Sequence, residues 1–165
     1  MEEKVSIGGN FIQSINFAMQ QNFVPVIRDL VISNETEEVL TDLELRIRFE
    51  PEFAGEYRYS VREIQPGKSV EISPVRLQLK TDYFFSLTER VAGTILAEVL
   101  QGEESLGSLT QEIGLLAVDQ WSGLLIMPEM IAAFVMPNHP RIAEVLLDAS
   151  EFLKKWTGSP SFTGY

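Results

Sequence analysis

Cysteine is missing from the chain. Disulfide staples, thiolate nucleophiles and cysteine-bound zinc are therefore excluded. Histidine occurs once, at His139 between Asn138 and Pro140. A general base needs a partnered nucleophile or an orienting carboxylate, and the neighbouring residues supply neither, so a capping or packing role is the expectation. Basic residues are few, 13 Lys and Arg against 24 Asp and Glu for a net charge of −11, and no window concentrates them. A phosphate backbone is repelled over most of such a surface, and no direct nucleic-acid binding is expected.

Signals for export and membrane insertion are also wanting. Met1-Glu2-Glu3-Lys4 has neither a basic n-region nor an apolar h-region, which makes the cytoplasm the expected location. The longest apolar run, Leu124 to Met136, is short for a bilayer crossing and is broken by Pro128 and Glu129, so it is read as buried core. No metal, cofactor or catalytic residue is implied by any spacing.

What the chain has is alternation. Leu43, Leu45, Ile47 and Phe49 alternate with Glu44, Arg46, Arg48 and Glu50, the pattern of a half-buried strand over Asp42 to Glu50. Val24 to Ser33 is a second strand, and the short polar segment from Asn34 to Glu38 predicts that the two pair as antiparallel neighbours. Arg28 interrupts the apolar phase of that strand, so either a bulge shifts the register there or Arg28 sits at the rim. Pro25 belongs on an edge or at a strand start.

Residues 1–10 read as a frayed start with a Gly8-Gly9-Asn10 turn, and Phe11 to Phe23 as a strand. Glu56 to Ile64 alternates again. Gln65-Pro66-Gly67-Lys68 has the residues of a type II turn, which outweighs the Gly-Lys-Ser end of a phosphate loop: the earlier glycine is replaced by Arg62 and a strand follows. Alternation continues through Val70 and Ile72 and, beyond Pro74, through Val75, Leu77 and Leu79. Thr81-Asp82 is the expected cap of a short crossover helix through Glu89. Thr94 to Gln101 and Leu109 to Val118 form a final strand pair around the loop 102–105. Asn34-Glu35-Thr36 is formally a glycosylation acceptor, and the turn reading is preferred.

Short strands separated by turn signals predict a mainly β fold, an immunoglobulin- or fibronectin-like antiparallel sandwich over 1–118. Residues 119–165 form a helical extension packed on it and leading to downstream domains. Pro128 suits the start of a helix over Glu129 to Val135, and Asn138 caps a second helix. There Ile142, Val145, Leu146, Ala149, Phe152, Leu153 and Trp156 make an amphipathic stripe ended by Gly158. Such a stripe usually covers the protein's own sheet, and Ile142, Leu146, Phe152 and Trp156 are the residues of a possible interface. Phe162 and Tyr165 lack a terminating logic, so the chain reads as cut from a longer one.

Several strings recur together: Phe17-Ala18-Met19-Gln20-Gln21-Asn22 before Val24-Pro25-Val26, then Leu87-Thr88-Glu89-Arg90, then Ala132 to Pro140, then Thr157-Gly158-Ser159 and Gly164-Tyr165. In these the chain resembles, over essentially its whole length, the N-terminal region of large bacterial superfamily 1 DNA helicase-like proteins. The resemblance implies an ATPase motor, and often a nuclease-like domain, far downstream. The Walker A lysine, the Walker B acids and the motor arginines have no counterpart in this segment, so no functional residue carries over. It implies a non-catalytic accessory module of a protein of DNA processing or phage defence, with downstream domains or a protein as partner. The alternative is a stand-alone protein- or ligand-binding module with an aromatic site built from Tyr57, Tyr59 and Trp121.

Overall fold

A computed structural model describes residues 3–121, 135 and 140–160. The chain divides into two compact units, residues 1–127 and 128–165. The first is mainly β and holds two sheets. Strands β1 (Val5–Phe11), β3 (Ile27–Asn34) and β6 (Ser69–Ile72) form a three-stranded sheet in the order β1-β3-β6. Strands β2 (Ser14–Ile15), β4 (Leu40–Glu50), β5 (Tyr57–Ile64), β7 (Val91–Gln101) and β8 (Glu104–Leu115) form a five-stranded sheet in the order β2-β8-β7-β4-β5. Every pairing is antiparallel except β2 with β8. Helix α1 (Phe17–Gln21) follows β2, and α2 (Thr81–Ser86) carries the chain from the smaller sheet to the larger. The second unit contains α3 (Pro140–Thr157).

The alternation of β4 places Leu43, Leu45, Ile47 and Phe49 in the core, as its period of two requires. They are joined there by Leu30 and Ile32 of β3, Ile95 and Val99 of β7, and Leu115 of β8. Phe53, in the loop after β4, lies edge-on to Phe49 at 5.0 Å and to Phe84 of α2 at 6.1 Å. That stack pins α2 by its one buried side chain.

Sheet membership departs from the local expectation. β3 does not pair with β4: it lies between β1 and β6, and the segment after Asn34 crosses to the other sheet. The reason is Asn34 itself, buried at 1% exposure. Its amide nitrogen donates to the carbonyls of Glu38 (2.7 Å) and Ile64 (2.9 Å), and its oxygen accepts from the Thr36 amide (2.9 Å) and hydroxyl (2.8 Å). A side chain that satisfies its own turn and a strand of the opposite sheet makes a corner instead of a hairpin. The type II turn forms, with Gly67 at φ 62° and Lys68 N–H donating to Gln65 at 3.0 Å. It too is a corner, since β5 and β6 lie in different sheets.

The N-terminal expectations also need correction. Residues 5–11 are a full strand, because Gly8, Gly9 and Asn10 pair with Val31, Leu30 and Asp29. A side chain at Gly9 would collide with the Asp29 carbonyl, so the glycine serves close strand approach and not a turn. Phe11 to Phe23 is a two-residue strand and a helix, not one strand: Asn16 caps α1 by accepting from the Met19 amide at 2.8 Å. At Arg28 the bulge is found. Asn10 pairs with Asp29 and Phe11 with Ile27, leaving Arg28 unpaired and exposed. Helix α2 is capped by Lys80, without a side-chain cap bond, and not by Thr81 or Asp82. Val75 to Leu79 keeps the burial alternation but forms no strand, only a single bridge between Leu79 and Ala54.

α3 forms where the stripe predicts it, and Gly158 N–H donates to the Lys154 carbonyl at 3.0 Å as the helix ends. The helix expected over Glu129 to Val135, the Asn138 cap, His139, Phe162 and Tyr165 fall outside the described residues, apart from Val135, which is exposed. Among the described residues no helix is long and apolar enough to cross a membrane.

Candidate functional site

β3 and β6 are paired from Ser33 and Ser69 to Leu30 and Ile72 and then part. Their last link is the Ser73 hydroxyl, 3.4 Å from the Arg28 carbonyl. Beyond it each chain carries a proline, Pro25 on one side and Pro74 on the other. Neither has an N–H to give, so the ladder cannot continue across the gap. The gap is a groove of about 670 Å³, walled by residues 23–26 with Gln20 and by residues 74–79. Its size is that of a small-ligand or peptide site.

Each wall is fixed by its own hydrogen bonds. Phe23 and Val24 donate their amides to the carbonyls of Gln20 (3.1 Å) and Met19 (3.0 Å), which folds the chain back over the end of α1. Phe23 lies there at φ 56° with 92% of its surface exposed. Left-handed backbone is unfavourable for an aromatic residue, and this one gains no burial in return. On the other wall Gly55 N–H donates to the Gln78 carbonyl and Lys80 N–H to the Phe53 carbonyl, both at 2.9 Å. The Lys80 ammonium meets Glu52 at 2.8 Å, and that hydrogen bond and charge hold the Glu52 carboxyl below its ordinary range, against a small desolvation effect. The Gln20 amide reaches the Thr81 hydroxyl at 3.1 Å and Phe17 packs edge-on against Phe85 at 5.5 Å, so α1 and α2 are joined beside the groove.

The charge in the groove is unlike that of the chain. Arg76 is its single charged lining residue, and among the described residues it has no ion-pair or hydrogen-bond partner. Arg28, Arg62 and Arg90 are likewise without an acid, whereas Arg46, Arg48, Arg58 and Arg141 each sit against a glutamate. Arg58 is raised above its ordinary value chiefly by its hydrogen bond to Glu56, with the charges of Glu56 and Glu44 adding.

The aromatic site expected from Tyr57, Tyr59 and Trp121 is not a wall of this groove, nor of a second hollow of about 340 Å³ beside Phe11, Arg90 and Glu112. Tyr57 and Tyr59 share one face of the edge strand β5, where burial, then the neighbouring Tyr59, raises the Tyr57 hydroxyl. The Gly67-Lys68 turn is exposed, and a β-carbon at Gly67 would meet nothing within 4 Å. Asn34 cannot serve as a glycan acceptor, because its nitrogen is buried and donates to two carbonyls. Ile142, Leu146, Phe152 and Trp156 are all exposed on α3, Trp156 to 84%. Among the described residues no three His, Asp or Glu side chains converge as a metal site would need. The groove was missed because Phe23 and Val75 to Leu79 read as strand. Its signal is the pair of prolines, each able to end a ladder. No protein-family model matches the chain, and no curated protein matches it.

Proposed function

We propose that this chain is a non-catalytic interaction module, the accessory N-terminal part of a helicase-like polypeptide, and that the groove between residues 23–26 and 74–79 is where it holds its partner. The observation that carries the reading is Phe23: an exposed aromatic ring held in strained backbone at the mouth of an apolar groove. Backbone strain persists where the surroundings impose it, and it clusters at ligand sites. The partner is a downstream domain of the same polypeptide or a separate protein. Ile142, Leu146, Phe152 and Trp156 on α3 offer a second contact face. A fibronectin-like sandwich is the finer reading of the fold, supported by the two sheet orders β1-β3-β6 and β8-β7-β4-β5, which match A-B-E and G-F-C-C′ in order alone.

The test is the reading frame and the longer polypeptide. A motor with a phosphate-binding loop is expected beyond Tyr165. Amide exchange of the long polypeptide should be slower at residues 23–26 and 74–79 than in the 165-residue chain. A frame without a motor sinks the helicase connection, and unchanged exchange at both walls sinks a downstream domain as the occupant of the groove. With a net charge of −11, the chain is expected to give no salt-dependent shift of duplex or single-stranded DNA.

A further inference from the structure

The groove contains an unfinished sheet edge. In an extended segment the N–H and C=O of one residue point to one edge and those of the next residue to the other. The Gln78 carbonyl and Lys80 amide are taken by Gly55 and Phe53, so the N–H and C=O of Leu77 and of Leu79 face the other way, and none of them has a hydrogen-bond partner. Side chains alternate as well. Val75 is buried and Leu77 and Leu79 half-buried on one face, while Arg76 and Gln78 are exposed on the other. Cross-strand neighbours share a face, so a strand laid along this edge would set every second side chain beside the leucines and the intervening ones beside Arg76. Arg76 shares the lack of an acid with Arg28, Arg62 and Arg90, but it alone lines this groove, whose walls hold no carboxylate.

We infer that the groove accepts an extended peptide of a partner protein by strand addition along Val75 to Leu79, with apolar side chains at alternate positions and an Asp or Glu between them that pairs with Arg76. This rests on the groove being the binding site and names the chemistry of what it takes. Main-chain hydrogen bonds to Leu77 and Leu79 supply register, and the Arg76 contact supplies the choice among sequences. A long-chain carboxylate has the same apolar and acidic character, but it has no peptide groups for the free edge.

The test uses the full chain and the fluorescein-labelled peptide Thr-Val-Asp-Val-Thr-Val. Three comparison probes are the same peptide with Asn for Asp, the Asp peptide N-methylated at alternate amides, and dodecanoate. Fluorescence anisotropy should give saturable binding of the Asp peptide, at least tenfold weaker binding of the Asn peptide, and none of the N-methylated one. Arg76→Ala, an exposed substitution, should weaken the Asp peptide about tenfold and leave the Asn peptide unchanged, while Arg76→Lys restores part of the loss. Equal binding of the Asp and Asn peptides, both lost in Val24→Asp, would overturn the acidic preference and leave the groove standing. Equal binding that survives Val24→Asp would remove the groove as well. Binding of dodecanoate, read by titration calorimetry, with no peptide binding would overturn strand addition, and so would failure of every probe to bind.

Discussion

The side-chain amide of Asn34 donates to the main-chain carbonyl of Ile64 at 2.9 Å, tying the end of β3 in one sheet to the end of β5 in the other. The same corner is closed by the backbone: the Asn34 N–H donates to Lys68 and the Gly67 N–H to Asn34. Lys4, the residue before β1, joins it, accepting from Glu35 and donating to Leu106 of β8. Asn34→Ala leaves the buried Ile64 carbonyl without this donor and the Thr36 amide without its acceptor, while the Thr36 hydroxyl keeps the Glu38 carbonyl. Each such group costs roughly 1–3 kcal/mol, so urea unfolding should show a loss of at least that size. Asn34→Asp should be worse, since a carboxylate would face two carbonyl oxygens. A variant within a few tenths of a kcal/mol of the parent would mean that the backbone bonds alone hold the corner.

Gly107 supports the other joint between the sheets. The register of β7 and β8 jumps from Val99↔Gly107 to Leu100↔Ser105, so Leu106 is the extra residue of a bulge, and its carbonyl takes the Lys4 amide. A β-carbon at Gly107 would collide with the Val5 carbonyl. Gly107→Ala should therefore destabilise by about 1–3 kcal/mol, as overpacking does. Gly8→Ala, which meets nothing within 4 Å, is the matched control.

Much of this architecture is visible in the residues. The inward phase of β4, the Pro66-Gly67 turn and the stripe of α3 are local patterns, and local physics decides them. Alternation reports which face of a strand is buried, but not which strand lies beside it. The five residues after Asn34 suit a hairpin or a corner equally well, and the choice falls to a side-chain amide whose second partner is thirty positions away. The groove has the same difficulty. Pro25 and Pro74 each announce the end of a ladder, yet they oppose one another only because β3 pairs with β6. The bulge at Arg28 was legible because a charged residue broke an apolar phase.

Phe23 should trade stability against binding. In the left-handed region a non-glycine residue is disfavoured by about 1–2 kcal/mol, and this ring is exposed, so Phe23→Gly is expected to raise the melting temperature or leave it unchanged. The same variant should weaken the Asp peptide, because one wall loses its largest apolar surface. A marked loss of stability would assign the ring a structural role.

The Glu52–Lys80 pair gives the wall a pH response. The folded carboxyl is held below its ordinary value, so its contribution is complete above the unfolded glutamate value and is lost as the pH falls through the folded one. The pair is exposed and its share of global stability is small. Protection of the Gly55 and Lys80 amides, measured relative to Glu52→Gln, should be higher in the parent at neutral pH and converge with the variant once the pH has fallen through the lowered folded value. Equal protection at neutral pH would show the pair to be idle.

Partners are expected to bind between residues 23–26 and 74–79. The most direct test is an amide chemical-shift titration of the chain with Thr-Val-Asp-Val-Thr-Val. The largest changes should fall on Phe23, Val24, Val26, Val75, Leu77 and Leu79, with the Arg76 guanidinium resonance moving at the same midpoint. Changes centred on Tyr57 and Tyr59 of β5 or on the Ile142 to Trp156 stripe of α3, with the groove resonances still, would contradict it.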